Sequence, residues 1–275
     1  MRQIDVSRDE VLAGFDALAD IYGHVPPLIM WRAWEYAIYR RYSLAAPILD
    51  IGCGDGRFFR RVFPDALEVI GIDESPVAVD LARQSGVYQS VHQTAAHDLS
   101  LPDGSVASAF ANCSIEHMSH VDQVLEQIHR ALRPDGVFLL SVVTDTFVSW
   151  APLRAILEAC GVPGRGSVLQ ANHEAYHHLV NAFSRDEWLT RLRRAGFRVR
   201  EWSPIVWGPA GWVFLLLDQY WHLERGTDEW GSVLGEHLRQ IPGHAAGLRK
   251  MFEGLLDLSE AHDREYAGVV FLAER

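Results

Sequence analysis

The chain has 275 residues, of which 48% are hydrophobic and 22% charged, and its formal net charge is −11. This length allows one large domain or a domain with a sizeable insertion, and so acidic a chain is poorly suited to nucleic acid, which needs clustered basic residues. The cysteines, Cys53, Cys113 and Cys160, are far apart and show no CxxC spacing. This disfavours a disulfide framework or a zinc site and fits a reducing compartment.

The sequence predicts a cytoplasmic protein without stable membrane insertion. Its N-terminus, MRQIDVSRDE, lacks the apolar core of a signal peptide. The longest apolar run, residues 205–217, contains glycine and proline and is too short to span a bilayer.

Residues 1–42 are predicted to be helical, because Trp31, Trp34, Tyr39 and Tyr42 recur at helical spacing. Strands and helices then alternate through residue 143, a pattern that indicates a parallel sheet with helices on both faces. Five strands are predicted in this core, over PILDIG, residues 67–73, YQSVHQT, residues 105–114 and VFLLSVV.

Two of the predicted helices have clear end signals. In the first, Ser75 is the N-cap, Pro76 occupies the first helical position and Gly86 follows the last turn. In the second, Ser184 and Glu187 have the spacing of a capping box.

The alternation is interrupted twice, by residues 144–183 and by residues 208–265. Residues 184–207 and 266–275 return to it and are predicted to complete the core sheet of a single domain. Insertions at one edge of a sheet suggest a helical cap over a site, but they fit a structural elaboration or an oligomer interface equally well. A homodimer therefore stays open.

A glycine-rich turn follows the first predicted core strand. Its glycines, Gly52, Gly54 and Gly56, are spaced G-x-G-x-G, so the dinucleotide fingerprint G-x-G-x-x-G is incomplete. A pyrophosphate here would be repelled by Asp50 and Asp55, whereas an ammonium or sulfonium group would be attracted. The following helix N-terminus suits a carboxylate. The turn therefore predicts a ligand with an amino-acid moiety.

Two further acidic residues indicate which other groups this ligand carries. Asp73 ends the second core strand, 21 residues after Gly52, where a carboxylate accepts hydrogen bonds from ribose hydroxyls. Asp98 follows the third strand and can accept from an exocyclic amine such as that of adenine. An amino acid, a ribose and an adenine together make S-adenosylmethionine.

Four segments in residues 47–143 resemble, in order and spacing, the motifs of class I S-adenosylmethionine-dependent methyltransferases of the small-molecule, methyltransferase-11 or UbiE-like type. These segments are ILDIGCGDG, VIGIDESPVAVDLA, LPDGSVASAFANCSIEHM and HRALRPDGVFLLSV. The N-terminal FDALADIYG is similar to the opening FDxxAxxYD of many members, in which a tyrosine, here Tyr22, lies over the cofactor.

The resemblance implies an α/β fold with a Rossmann-like, doubly wound, seven-stranded sheet whose last strand is antiparallel. It implies S-adenosylmethionine as cofactor, S-adenosylhomocysteine as product and a small-molecule substrate as the partner. The residues predicted to bind the cofactor are Tyr22, Asp50, Gly52, Cys53, Gly54, Asp73, Glu74, His97, Asp98 and Asn112.

The chain departs from the family pattern at two places. Ala107 stands where the family has an acidic residue before the fourth strand. Asp98 lies closer to the following Leu-Pro than the usual acid does, so His97 is an alternative contact for the adenine.

Glu116 and His117 follow the fourth strand and are the candidate catalytic residues. Methyl transfer from a sulfonium depends mainly on positioning and on excluding water, and an oxygen or nitrogen acceptor also needs a base for its proton. The alternative is that both side chains shape the loop and cap the next helix.

The first insertion carries a histidine cluster. His173 and His177 have the i, i+4 spacing of metal ligands, but Glu174 points elsewhere on the helix and no other acid completes a site. No metal is therefore predicted. Tyr176 and His177, together with Trp207 near the second insertion, are predicted to face the substrate, although core packing is the alternative for tryptophan.

The leading hypothesis is a methyltransferase that acts on a small acceptor, at oxygen or alternatively at nitrogen or carbon, with a natural product or a sugar- or glycolipid-type compound as substrate. The second hypothesis is a protein of the same fold that binds the cofactor or its product without methylating. Nicotinamide-dependent redox chemistry is disfavoured by Asp50, Asp55 and the incomplete fingerprint.

Overall fold

The computed structural model describes residues 1–225, 228–259 and 265–275, and one large mixed sheet organises them. Residues 226–227 and 260–264 of the predicted second insertion lie outside the described residues. The strands of the large sheet are β1 (Arg2–Gln3), β2 (Ile48–Ile51), β3 (Val69–Asp73), β4 (Ser90–Gln93), β5 (Val106–Asn112), β6 (Leu132–Val143), β7 (Arg198–Trp207) and β10 (Tyr266–Glu274). A separate short pair is formed by β8 (Glu224–Arg225) and β9 (Asp228–Glu229).

Helices cover both faces of the sheet. They are α1 (Arg8–Tyr22), α2 (Pro26–Tyr39), α3 (Arg57–Val62), α4 (Pro76–Ser85), α5 (Val121–Ala131), α6 (Asp145–Ser149), α7 (Pro152–Ala159), α8 (Pro163–Tyr176), α9 (Arg185–Arg194), α10 (Gly208–Trp221), α11 (Trp230–Gln240) and α12 (His244–Ser259). Two 3₁₀ turns, Ala96–Asp98 and Ile115–His117, lie at strand ends. None of the helices in the described ranges has the length and apolarity needed to cross a membrane.

The strand order, β1-β7-β10-β6-β5-β2-β3-β4, makes the sheet doubly wound. After β2, the chain forms β3 and β4 on one side of that strand. It then forms β5 and β6 on the other side. The antiparallel strand β10 lies between β6 and β7. The predicted fold class is therefore confirmed. The sheet has eight strands rather than seven, because Arg2–Gln3 adds a short parallel strand beside β7.

Local signals placed several helix ends correctly. The Ser75 hydroxyl accepts a hydrogen bond from the Ala78 N–H, Pro76 is the first residue of α4, and Gly86 ends it with φ = +68°. The capping box of Ser184 and Glu187 begins α9. These contacts satisfy backbone groups that a helix end leaves unpaired.

Strand β7 is longer than the sequence pattern suggests. It continues through Pro204, which is opposite Val269 of β10. A proline has no N–H to donate, so it is tolerated only where one side of a strand needs no partner. The short β1 pairs with Glu201 and Trp202 and reaches no farther along β7. Pro204 is thus on a free edge among the described strands.

The two faces of the sheet carry separate apolar cores. One core joins α1, α2, α3, α10 and α12 to the sheet, and the other joins α5 and α9 to it. Alternate strand residues point to opposite faces, so Leu139 belongs to the first core and Leu140 to the second. The N-terminal helices and the second insertion therefore share the core on one face of the sheet.

Candidate functional site

The glycine turn after β2 lies where the strand order reverses, the usual ligand site of a doubly wound sheet. Gly52, Gly54 and Gly56 all have positive φ, between +56° and +76°. At Gly52 the turn also needs a residue without a side chain, because a Cβ there would lie 2.5 Å from the Cβ of Ser114. The Gly54 N–H donates a hydrogen bond of 3.1 Å to the Asp73 carboxylate, which ties the turn to β3.

A strand-end cavity of about 650 Å³ opens beside this turn. Three of the predicted cofactor residues, Gly52, Asp73 and Glu74, line it. Asp73 also accepts from the Ser75 N–H at 2.9 Å, and a carboxylate has further lone pairs for hydroxyl donors. The other lining residues are Ile72, Thr94, Ala96, Cys113, Ser114, His117, Met118, Ser119, His178 and Val180.

Asp50 is not among the residues that line the cavity, and its contact with a positive ligand group stays a prediction. It is 3% exposed, and its carboxylate accepts a 2.7 Å hydrogen bond from the Tyr88 hydroxyl. Burial raises the pKa of Asp50 to about 7; the Tyr88 hydrogen bond opposes this shift and the Asp73 charge adds to it. Cys53 is also buried, and burial raises the pKa of its thiol. Both residues support the turn from beneath.

Replacing Asp50 by asparagine is expected to stabilise the ligand-free protein more at pH 7 than at pH 5. The folded-state pKa of Asp50 lies above its unfolded value, so wild type loses stability as pH rises through this window, whereas asparagine does not titrate. Denaturant unfolding should show the difference between the two proteins widening by roughly 2 to 3 kcal/mol from pH 5 to pH 7. A difference that is constant with pH would contradict the raised pKa.

The remaining predicted cofactor residues are not among those that line the strand-end cavity. Tyr22 is half-buried at the end of α1, and burial raises the pKa of its hydroxyl. The side chain of Asp98 is 74% exposed, and His97 packs against His120, with 5.0 Å between the ring centroids. The adenine contact by Asp98 or His97 stays a prediction; Thr94 and Ala96, which precede them in the chain, line the cavity.

Gly54 and Asn112, two other predicted cofactor residues, are not among the residues that line the strand-end cavity. Gly54 contributes its N–H to Asp73, and nothing lies within 4 Å of where its Cβ would be, so only its positive φ requires glycine. Asn112 ends β5, and its Oδ1 is buried with no hydrogen-bond partner among the described residues.

A second hollow, the cap cavity, has a volume of about 230 Å³ and lies under the helical insertions. Its walls are mainly aromatic and aliphatic, with a few ionisable groups among them. It is lined by Val25, Pro27, Leu28, Trp31, Arg32, Cys113, Glu116, His117, Val143, Phe147, His177, Leu179, Phe214, Asp218, Trp221 and His222. The cap cavity and the strand-end cavity share Cys113 and His117.

Glu116 and His117 lie in a 3₁₀ turn at this junction. Glu116 is fully buried, and neither carboxylate oxygen has a hydrogen-bond partner among the described residues. Burial raises the pKa of Glu116, and the Glu35 charge adds to the shift while His117 opposes it. His117 Nε2 lies 4.0 Å from Glu116 Oε1. Helix α5 begins at Val121 after His120, so Glu116 and His117 do not cap it.

A buried network that the sequence did not predict closes the inner wall of the cap cavity. The Glu35 carboxylate on α2 accepts hydrogen bonds from Trp31 Nε1 at 2.9 Å, Ser141 Oγ at 2.6 Å and Cys113 Sγ at 3.0 Å, and it pairs with Arg32 at 2.6 Å. Arg32 is thus an internal partner of Glu35. The only signal in the sequence is an acid at helical spacing among tryptophans.

The cap also brings together a cluster that the sequence predicted only in part. His173 Nε2 and His177 Nε2 lie 2.8 and 2.9 Å from the same oxygen, Oδ2, of Asp218 on α10. Burial alone would raise the pKa of Asp218, but hydrogen bonds from His173, His177 and His222 outweigh it and hold the pKa well below the usual range. In the sequence, Asp218 is marked only by being an acidic residue in a mainly apolar stretch.

Of the predicted substrate residues, His177 lines the cap cavity and Tyr176 lines an outer hollow of about 730 Å³ that shares His117 and His177 with it. Tyr176 stacks on His222, with 3.9 Å between the ring centroids. Trp207 lines neither space. It is 5% exposed and packs against Trp34 at a ring distance of 3.9 Å, so its predicted substrate contact is corrected to core packing.

Comparison with known proteins agrees with this arrangement. Residues 49–140 match the family described as methyltransferase domain. The chain is 25% identical over 142 residues to a malonyl-[acyl-carrier protein] O-methyltransferase of Yersinia pestis, covering 52% of this chain and 53% of that protein. It is 24% identical over 180 residues to a ubiquinone biosynthesis O-methyltransferase of Xanthomonas axonopodis pv. citri, covering 64% and 72%.

Among solved structures, the [4+2]-cyclase SpnF superposes with a TM-score of 0.55 at 18% identity, covering 89% of this chain and 82% of that one. This likeness concerns the fold alone. The chain spans about half the length of the Yersinia relative, and the match to the family begins in β2 and ends in β6.

The strand-end cavity fits the cofactor that this family implies. It offers the Asp73 carboxylate for hydroxyl groups, and Gly52, whose missing side chain lets the turn lie against Ser114, contributes to the cavity wall. The motifs, the doubly wound sheet and the matched segment agree with one another. Residues 49–140 therefore form a methyltransferase domain of the class I S-adenosylmethionine-dependent type, and the cofactor that this domain implies is S-adenosylmethionine.

Proposed function

We propose that this protein transfers the methyl group of S-adenosylmethionine to an oxygen of a small acceptor bound in the cap cavity. The observation that carries the proposal is the junction of the two cavities, at which Cys113 and His117 belong to both walls. A ligand in one cavity would meet a ligand in the other there. The malonyl and ubiquinone-pathway relatives, whose names specify O-methylation, support oxygen as the acceptor atom.

When bound, S-adenosylmethionine supplies an electrophilic methyl group on a sulfonium and leaves as neutral S-adenosylhomocysteine. Asp73 would hold the ribose, and the backbone of the glycine turn would hold the amino-acid end. The predicted contact by Tyr22 belongs to the same proposal. These residues contribute mainly by fixing the donor in line with the acceptor, which lowers the entropic cost of the encounter.

Glu116 would serve as the general base. The acceptor O–H gives its proton to the carboxylate while the oxygen lone pair forms the new bond to carbon, and the electron pair of the broken carbon–sulfur bond stays on sulfur. A buried carboxylate without hydrogen-bond donors is basic enough for this task near neutral pH, because burial disfavours its charged form. His117 would orient the acceptor at the junction.

The lining of the cap cavity limits the acceptor. Trp31, Phe147, Phe214 and Trp221 provide aromatic walls, while Arg32 offers a cation at one side. A pocket of this size and composition suits a compact, partly apolar molecule or the terminal ring of a larger one. We therefore place the substrate among small natural products or sugar-bearing compounds with a free hydroxyl.

Calorimetric titration with S-adenosylhomocysteine tests the donor half of the proposal, and one ligand per chain is the expected result. A panel of phenols, hydroxy acids and sugars, screened for production of S-adenosylhomocysteine, tests the acceptor half. Binding of the product without turnover of any panel member would favour the second hypothesis, a non-methylating protein. The same fold in the [4+2]-cyclase SpnF illustrates that this architecture is not tied to one reaction. A homodimer and a cytoplasmic location stay predictions.

A further inference from the structure

We propose that His173, His177 and Asp218 form a binding site for a divalent transition-metal ion of the zinc type at the edge of the cap cavity. One potential ligand atom from each residue lies within 4.8 Å of the other two. The site would take the ion with one or more coordination positions left for an acceptor oxygen.

The three ligands come from two helices, and the sequence alone shows only that two of them share a helix face. His173 and His177 are four residues apart on α8, so both rings project from one face of the helix. Asp218 is a buried residue in the last turn of α10, which packs against α8. Two rigid helices thus fix all three side chains, as a preorganised metal site requires.

The hydrogen bonds of this cluster already hold the three ligand atoms close to the spacing that a shared ion requires. Both Nε2 atoms converge on the single oxygen Oδ2 of Asp218, at 2.8 and 2.9 Å. Ligand atoms around a tetrahedral zinc ion, each about 2.0 Å from it, are about 3.3 Å apart, so a small opening of the cluster would admit an ion. His222 Nε2 lies 3.6 Å from the other oxygen, Oδ1, and restrains the carboxylate from that side.

The donor set indicates which ion. Two imidazole nitrogens and one carboxylate oxygen suit zinc and neighbouring divalent transition metals, whereas magnesium and calcium prefer oxygen ligands alone. Three protein ligands are also the number at which zinc sites keep an open position. The cluster therefore differs from the closed four-ligand sites that serve only to hold a fold together.

The open position faces the substrate. His177 and Asp218 line the cap cavity, and His177 is 21% exposed while His173 is 4% exposed. An ion held here would bind a hydroxyl or carbonyl oxygen of the acceptor and orient it beside Glu116, which lines the same cavity. This role of the ion rests on the proposed function; the metal site itself does not.

The experiment is a calorimetric titration of the chelator-treated full chain with zinc chloride, without donor or acceptor. Wild type is expected to bind one ion per chain, and Asp218→Asn and His177→Gln are expected to bind it about 100-fold more weakly. The control His237→Gln makes the same change in an exposed histidine of α11 and should bind as wild type does. Cobalt, whose visible absorption reports its ligands, should give a band in wild type that both site variants lose.

Circular dichroism and S-adenosylhomocysteine binding on the same preparations show whether each variant is folded. His177→Gln is a second route should Asp218→Asn fail to fold, because the His177 ring is at the cavity surface. Failure of wild type to bind zinc would overturn the proposal, and so would equal binding by wild type and a folded site variant. Zinc binding by a protein that does not bind S-adenosylhomocysteine would instead refute the proposed function and leave the metal site standing.

Discussion

Replacing Asp73 by alanine is expected to weaken binding of S-adenosylhomocysteine by about 10² to 10⁴-fold, because two charge-assisted hydrogen bonds to the ribose would be lost at about 1.5–3 kcal/mol each. Asp73, at the end of β3, lines the strand-end cavity and also holds the glycine turn through Gly54. Calorimetry on the purified protein measures the loss directly.

Two further variants separate ligand contact from damage to the turn. Asp73→Asn keeps an oxygen that can accept from the Gly54 N–H, so it should fall between wild type and alanine. Asp80→Ala removes an exposed aspartate of α4, outside the cavity, and should bind like wild type. If Asp73→Ala bound as tightly as Asp80→Ala, the ribose assignment would be wrong.

Replacing Glu116 by glutamine is expected to lower kcat by about 10² to 10⁴-fold toward any acceptor that the panel identifies, because glutamine cannot take a proton from a hydroxyl. The affinity for S-adenosylhomocysteine should stay near that of wild type, since the side chain lines the cap cavity and not the strand-end cavity. Single-turnover kinetics with saturating donor measures the chemical step.

The pH profile provides an independent check on this role. Glu116 must be ionised to act as a base, and its raised pKa moves the acidic limb of the rate profile above the usual value for glutamate, about 4.3. Wild type should therefore gain rate with rising pH in this window, whereas Glu116→Gln should lack that limb. The exposed Glu126→Gln is the matched control. An unchanged profile in Glu116→Gln would assign the proton transfer to another group.

Much of the fold could be predicted because its signals are local. The caps of α4 and α9 depend on residues three or four positions apart, and the strand–helix alternation depends on short apolar runs. The donor half of the site follows from the same locality, since Gly52 and Asp73 end adjacent parallel strands. In a doubly wound sheet, the carboxyl ends of adjacent parallel strands lie side by side. No other sequence signal is therefore needed to predict that these two residues are close together.

The rest depends on contacts across long sequence separations. Asp218 is 41 residues from His177, and Glu35 is 106 residues from Ser141, so periodicity could not pair them. The orientation of Asp50 and Trp207 could not be predicted either, for a different reason. Both have the right residue type beside the site, but which side of a strand or helix faces a cavity is decided by packing against Tyr88 and Trp34.

The division of the cap cavity along the chain has an evolutionary consequence. Of the residues that line it, only Cys113, Glu116 and His117 fall within residues 49–140, the part shared with the methyltransferase domain family. The others come from α2 and the residue before it, from the two insertions or from the end of β6. Substitutions in those segments can therefore change the accepted substrate while the inherited donor machinery keeps working, so a lineage can acquire new substrates by remodelling the cap alone.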